Sequence, residues 1–363
     1  GDVYKRQIEF YAAIKTAEPF LPAGTVIARE QTYVHTFYKK EATAQQPATS
    51  KEEGNLVAFS GPDFKATFDK QSGLLTSYLY KKHEYILNGQ GPRPFFWRAP
   101  TDNDYGANLP VRLKAWKEAS YQEPKAESFQ VTPGSNATTI KVTYRFPQTD
   151  ARWDITYKIY ASGVIKVDNR FVAEGDQAPM IPRVGLRMQL PESFTDLTYY
   201  GRGPKENYRD RRTSQFIGEY AIPVKDMYEP YVRPQENNHR TDIYWCALTD
   251  KTQRGLLLIA DRTFELNASN YPLESMDSGD TIDNGAPRTE KTHHRHLTDP
   301  LPEKMVDLFI DYRMMGVGGD DSWGATAHEP YLIRPGKENA IEYGFSLVPF
   351  DKKEDYKYLI RQY

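Results

Sequence analysis

Four stretches of the 363-residue chain bring together side chains able to do chemistry. The densest is residues 315–324, Met-Gly-Val-Gly-Gly-Asp-Asp-Ser-Trp-Gly, where Asp320, Asp321, Ser322 and Trp323 sit among four glycines. Glycine permits positive φ and tight turns, so such a loop can hold a large aromatic at a surface edge. A tryptophan that follows a strand is otherwise first a core residue, since Trp is highly buried on average. Residue types alone leave both readings open.

The second stretch, residues 96–104, reads Phe-Trp-Arg-Ala-Pro-Thr-Asp-Asn-Asp. Asp102 and Asp104 stand at a spacing common among cation ligands. Calcium loops need several oxygens at fixed positions, and here Tyr105 and Gly106 follow, so we expect Asx side chains that satisfy the loop's own amides. The third, residues 200–211, is Tyr-Gly-Arg-Gly-Pro-Lys-Glu-Asn-Tyr-Arg-Asp-Arg. It is no phosphate cradle, because no helical pattern follows and Pro204 interrupts the row of amides; a buried pair of Arg211 with Glu206 or Asp210 is expected to brace a loop. The fourth, His293-His294-Arg295-His296, holds three of the seven histidines. No carboxylate or cysteine stands at a recognised zinc spacing, so a structural role is expected and no metal is assigned.

Composition narrows the classes. A formal charge of −2 gives no reason to expect a nucleic-acid or anionic-membrane partner. No apolar run approaches the ~20 residues that cross a bilayer. Cys246 is the only cysteine, which excludes an internal disulfide and a cysteine-cluster metal site. The 26 tyrosines, 17 phenylalanines and 5 tryptophans suit strands, and flat rings also suit pyranose faces.

The elements that must position these groups read as strands. Residues 305–314 alternate, with Val306, Leu308, Ile310 and Tyr312 on one face, as a half-buried strand requires. Segments 64–69 and 74–80 flank a turn at residues 70–73. Ile140, Val142, Tyr144 and Phe146 alternate, as do Trp153, Ile155, Tyr157 and Ile159; residues 161–163 turn the chain into 164–172. Residues 255–260 form a continuous apolar run, expected of a strand covered on both faces, and Ile341 to Leu347 close the series. One helix is expected over 110–119, with Asn108 as cap and Pro110 in the first turn. Fifteen or more strands exceed an ordinary sandwich, so two large packed antiparallel sheets are expected. The chain divides into residues 1–7, charged and unpatterned and read as an addition at the edge of an assembled sequence; 8–40, the last strands of a truncated immunoglobulin-like sandwich; 41–54, a linker; and 55–363, the large domain. Two or three strands cannot bury an apolar face, so an N-terminal part is expected to be missing.

Gly318-Gly319-Asp320-Asp321-Ser322-Trp323 resembles the signature near the C-terminus of glycoside hydrolase family 2 β-galactosidases, in their domain 5, or small chain. Residues 96–104 are similar to the segment that opens that domain. Residues 201–211 match Gly-x-Gly-Pro-x-Glu-Asn-Tyr-x-Asp-Arg, and residues 228–237 match another family stretch, after which Asn238-His239-Arg240 departs from the usual Gly and Arg. Asn tolerates the left-handed backbone that position needs. The resemblance runs from Ile8 to about Pro349 in the family's order. It implies a galactose-mutarotase-like β-supersandwich preceded by a partial immunoglobulin-like segment, and retaining hydrolysis of terminal β-D-galactosides. That chemistry takes two carboxyl groups about 5 Å apart. The family carries both, with a divalent cation (Mg or Ca), in an upstream (β/α)₈ barrel, and this chain lacks the alternating strand–helix pattern of a barrel. No catalytic residue is therefore assigned here. The resemblance gives Trp323 a sugar-contacting role, with Asp320, Asp321 and Ser322 holding its loop, and gives the barrel of the same polypeptide as partner. It leaves self-association and the compartment, cytoplasm or periplasm, open. Two other readings stand: a carbohydrate-binding module without activity, and an aldose 1-epimerase, whose reaction needs a His and a carboxylate that no single stretch announces.

Overall fold

The structure is a computed structural model and describes residues 5–36, 45–175, 180–279, 296–321, 323–336, 340–352 and 354–362. The chain divides into two compact units, residues 1–43 with 361–363, and residues 44–360. In the first, β1 (Lys5–Ala13) pairs antiparallel with β2 (Val26–Thr36). Residues 5–7, set apart above for want of a pattern, take part in this ribbon, because backbone pairing needs no apolar periodicity. A two-stranded ribbon has no second layer, and Ile8, Phe10, Tyr11, Val26 and Ile27 are exposed.

The second unit is the two-sheet antiparallel sandwich the strand count demanded. The smaller sheet is a meander: β3 (Thr49–Glu53), β4 (Leu56–Ser60), β5 (Phe64–Asp69), β6 (Leu75–Tyr80) and β7 (His83–Glu84). The strand at 49–53 lies in the stretch read as linker; all five of its residues are exposed, so it is an edge strand without an apolar face and leaves no trace in hydropathy. The larger, twelve-stranded sheet begins with β8 (Arg93–Phe95), followed by β9 (Ala126–Thr132), β10 (Thr138–Phe146), β11 (Ala151–Ile159) and β12 (Ile165–Ala173). It continues with β13 (Arg183–Pro191), β14 (Asp196–Gly203), β15 (Phe216–Pro223), β16 (Arg240–Thr249), β17 (Gly255–Ser269), β18 (Met305–Met314) and β19 (Ile341–Phe350). A helix, Tyr356–Gln362, follows. The sheets meet through one contiguous core, in which Phe68 of β5 packs edge-on against Tyr157 of β11 with ring centroids 5.0 Å apart.

β17 is the branch point. Its first half, from Gly255 to Ala260, pairs with β19, and its second, from Glu265 to Ser269, pairs with β18. β18 in turn lies between β17 and β13. It is therefore covered on both faces through Asp311, not half-buried as its alternation suggests. Its outward carboxylates, Asp307 and Asp311, are buried against Arg187 and Arg183 of β13.

The helix expected over 110–119 is two helices, α2 (Leu109–Arg112) and α3 (Lys114–Tyr121), preceded by α1 (Asp102–Gly106). The break falls at the buried Leu113 (φ −111°, ψ 16°). Asn108 does precede α2, but in the left-handed region (φ 55°) and without a side-chain capping bond.

Candidate functional site

Trp323 is 86% exposed, so the core reading of this tryptophan is overturned. What holds its loop is a set of contacts made residue by residue along the backbone that leaves β18. The Met314 amide donates to Glu265 Oε2 at 2.8 Å and the Met315 amide to the Pro182 carbonyl at 3.0 Å. The Gly316 amide donates to the Tyr331 carbonyl at 2.8 Å. Arg98 donates to the carbonyls of Met315 (2.7 Å) and Gly316 (3.1 Å). Asp210 then accepts from two successive amides, Val317 at 3.1 Å and Gly318 at 2.9 Å. Asn103, with its amide oriented to satisfy both atoms, accepts from Gly319 N at 2.9 Å and donates to the Asp321 carbonyl at 3.2 Å.

The three sequence stretches thus converge on one loop. Residues 96–104 supply Arg98 and Asn103, residues 200–211 supply Asp210, and both grip residues 315–319. Arg98 is itself fixed by a bidentate pair with Asp104, Nε–Oδ2 3.0 Å and Nη2–Oδ1 2.8 Å, with both side chains buried. Asp104 also closes a reciprocal cap with Thr101, each side chain accepting from the other's amide. The Asp102–Asp104 spacing accordingly serves a helix start and an arginine. Among the described residues no group of three or more His, Cys, Asp or Glu could hold a metal ion.

Within the loop, Asp321 Oδ1 accepts from the amides of Trp323 (2.8 Å) and Ala325 (3.2 Å), which closes the turn around the indole. Asp320 pairs with His328, both exposed. Ser322 and residues 293–295 lie outside the described residues; His296 donates its amide to Asp299 Oδ2. At the far end Gly324 (φ +103°) packs on Gly106: a Cβ on Gly324 would stand 2.1 Å from the carbonyl carbon of Gly106. No other residue permits this backbone seam.

Glu206, not Asp210, takes Arg211 (2.7 Å), and Arg211 is half-exposed rather than buried. Glu206 also accepts from the Asn238 amide at 2.8 Å and from the Tyr231 hydroxyl. It therefore ties residues 200–211 to residues 228–240. Asn238 has φ 61°, the left-handed geometry its residue type permits.

Behind the loop lies a constellation with no sequence signal. His239 Nε2 is 3.0 Å from Glu265 Oε2, and its Nδ1 is 2.7 Å from Asn267 Oδ1. Asn267 also accepts from Arg183 at 2.8 Å and donates to Glu236 at 2.9 Å. Arg209 reaches Glu265 at 3.3 Å. Burial disfavours the imidazolium of His239, but the hydrogen bond and charge of Glu265 outweigh it and hold its pKa above the ordinary value. Burial likewise raises Asp311 to about 7. Arg183 Nε sits 3.2 Å from Asp311 Oδ2, yet its N–H misses the oxygen, and neither Asp311 oxygen has a hydrogen-bond partner among the described residues. A His and a carboxylate do converge here, as an epimerase would require. His239 is fully buried under the stacked ring of Tyr208 and all its bonds are spent on neighbours, so the pair braces the fold.

The largest groove, about 1070 Å³, opens on the large sheet away from Trp323. Its charges are mostly matched in place, as in Arg152–Asp154 (2.9 Å) and Arg212–Asp242 (2.9 Å), which suits a solvated face.

The sequence model of the β-galactosidase small chain matches residues 60–347. The chain belongs to the β-galactosidase small-chain family. Among similar members, the β-galactosidase of Priestia megaterium is 33% identical over 291 residues, covering 80% of this chain and 26% of that protein. That of Lactobacillus delbrueckii subsp. bulgaricus is 32% identical, covering 82% and 28%. That of Streptococcus thermophilus is 27% identical, covering 94% and 32%. The chain thus spans about a quarter to a third of the length of these small-chain relatives. A galactose mutarotase related enzyme from Lactobacillus acidophilus has a similar structure at TM-score 0.42 and 8% identity, covering 84% of this chain and 98% of that one. A likeness at that level bears on no functional point.

Proposed function

We propose that this chain is the C-terminal part of a retaining β-galactosidase, and that it lends Trp323 to a sugar site whose reacting glutamates, with their divalent cation, belong to an upstream barrel of the same polypeptide. The observation that carries this reading is the exposed indole on a loop that three family stretches hold from below. A protein does not brace a bare indole in this way for its own core: indole exposed to water forgoes burial worth roughly 2–3 kcal/mol. The flat ring fits the C–H face of a galactose or its leaving group. The chain alone is expected to release no nitrophenol from nitrophenyl galactoside. In the complete enzyme, Trp323→Ala is expected to raise KM for lactose and for aryl galactosides by up to about tenfold, the equivalent of an aromatic contact worth ~1.4 kcal/mol. Because stacking adds binding rather than proton transfer, kcat should fall much less. Unchanged KM for both substrates would refute the role of Trp323.

A further inference from the structure

We propose that Asp210 is the positioning residue of this site: by clamping the amides of Val317 and Gly318, its carboxylate sets where the Trp323 indole stands, and so sets affinity for the sugar. This rests on the sugar-contacting role of Trp323 given above.

The chain presents Asp210 deliberately. Tyr208 and Arg211 exchange both backbone hydrogen bonds, at 3.1 and 2.8 Å, which leaves Arg209 and Asp210 at the tip of a tight turn. Arg209 anchors that tip on Glu265, the same carboxylate that receives the Met314 amide. Turn and loop therefore share one footing at the end of β18, and Asp210 spans the gap between them. Its two oxygens take one amide each, 3.1 and 2.9 Å, so both need to be acceptors. Gly316 makes room for it: a Cβ there would lie 2.4 Å from Asp210 Oδ2. Beyond the clamp, a Cβ on Gly319 would meet nothing within 4 Å, and the backbone returns to the fold only at the Gly324–Gly106 seam. The indole's location is thus determined from two points, one of them a carboxylate that touches no sugar.

The test uses the complete enzyme carrying this chain. An amide in place of the carboxylate turns one acceptor into a donor facing an N–H. Asp210→Asn is therefore expected to raise KM for lactose about fivefold with kcat within twofold, the effect of one lost charge-assisted hydrogen bond. On a Trp323→Ala background the same substitution should add nothing, because Asp210 acts through the indole. Amide hydrogen exchange at Val317 and Gly318 should quicken in Asp210→Asn while that of β18 stays slow. Should Asp210→Asn fail to fold, Gly316→Ala, which pushes the carboxylate aside and keeps its charge, is expected to give the same KM rise. Trp323→Ala raising KM while Asp210→Asn (or Gly316→Ala) does not would overturn the positioning role and leave the sugar contact intact. Additive effects in the double variant would overturn it too. Unchanged KM in Trp323→Ala would remove the sugar contact and this role together.

Discussion

Asp104 carries three bonds on one carboxylate: Arg98 Nε and the Thr101 amide on Oδ2, and Arg98 Nη2 on Oδ1. Its removal leaves a buried guanidinium without a counter-charge, and Arg98 is what holds the carbonyls of Met315 and Gly316. We expect Asp104→Ala to lower the unfolding free energy by about 3–5 kcal/mol in urea titrations; a loss under 1 kcal/mol would show the pair to be incidental. Asp311 yields a pH prediction. In the folded chain its carboxyl keeps a proton up to about pH 7, against a model value of 3.8. Protonation therefore favours the folded form across that interval, and stability falls as pH rises through it. His239, raised from 6.5, has the same sign: its contribution is full below 6.5 and is lost as pH rises through the higher folded value. The Tm is expected to drop between pH 6 and pH 8, and Asp311→Asn to flatten that drop; an equal drop in both proteins would rule the carboxyl out as its source.

Most strands were legible because their signal is local. β5 and β18 match their sequence bounds, and β11 shows the period-two burial its pattern implies. What misled in β18 was chemistry from elsewhere. Asp307 and Asp311 read as water-facing, and only Arg187 and Arg183 of a strand some 120 residues earlier make them tolerable inside. The broken helix at Leu113 had no cue, since leucine favours helix; packing of a fully buried side chain decided the matter. The site was half legible. The glycines, Trp323 and the flanking carboxylates could be picked out by type, whereas the contact of Asp210 with Val317 spans 107 positions. The His239–Glu265 pair joins two strands, and nothing in either announces the other.

At the scale of the whole molecule, one core runs through residues 44–360 without interruption, from Val57 of the small sheet to Leu347 of the large one. A single core predicts a single cooperative transition, so calorimetry on residues 44–360 should give equal calorimetric and van't Hoff enthalpies. Two resolved peaks would mean the sheets melt separately. The branched strand β17 has a further consequence for how the family can change length. Its halves serve different neighbours, and three residues, Asp261, Arg262 and Thr263, separate the rungs shared with β19 from those shared with β18. Deleting one of them would leave the first half seated while the second slipped by one position, and a one-position slip turns every side chain to the opposite face. Glu265 would then point away from both Met314 and His239. Evolution can lengthen or trim the loops around this fold, but that three-residue joint is a place where no indel can be absorbed.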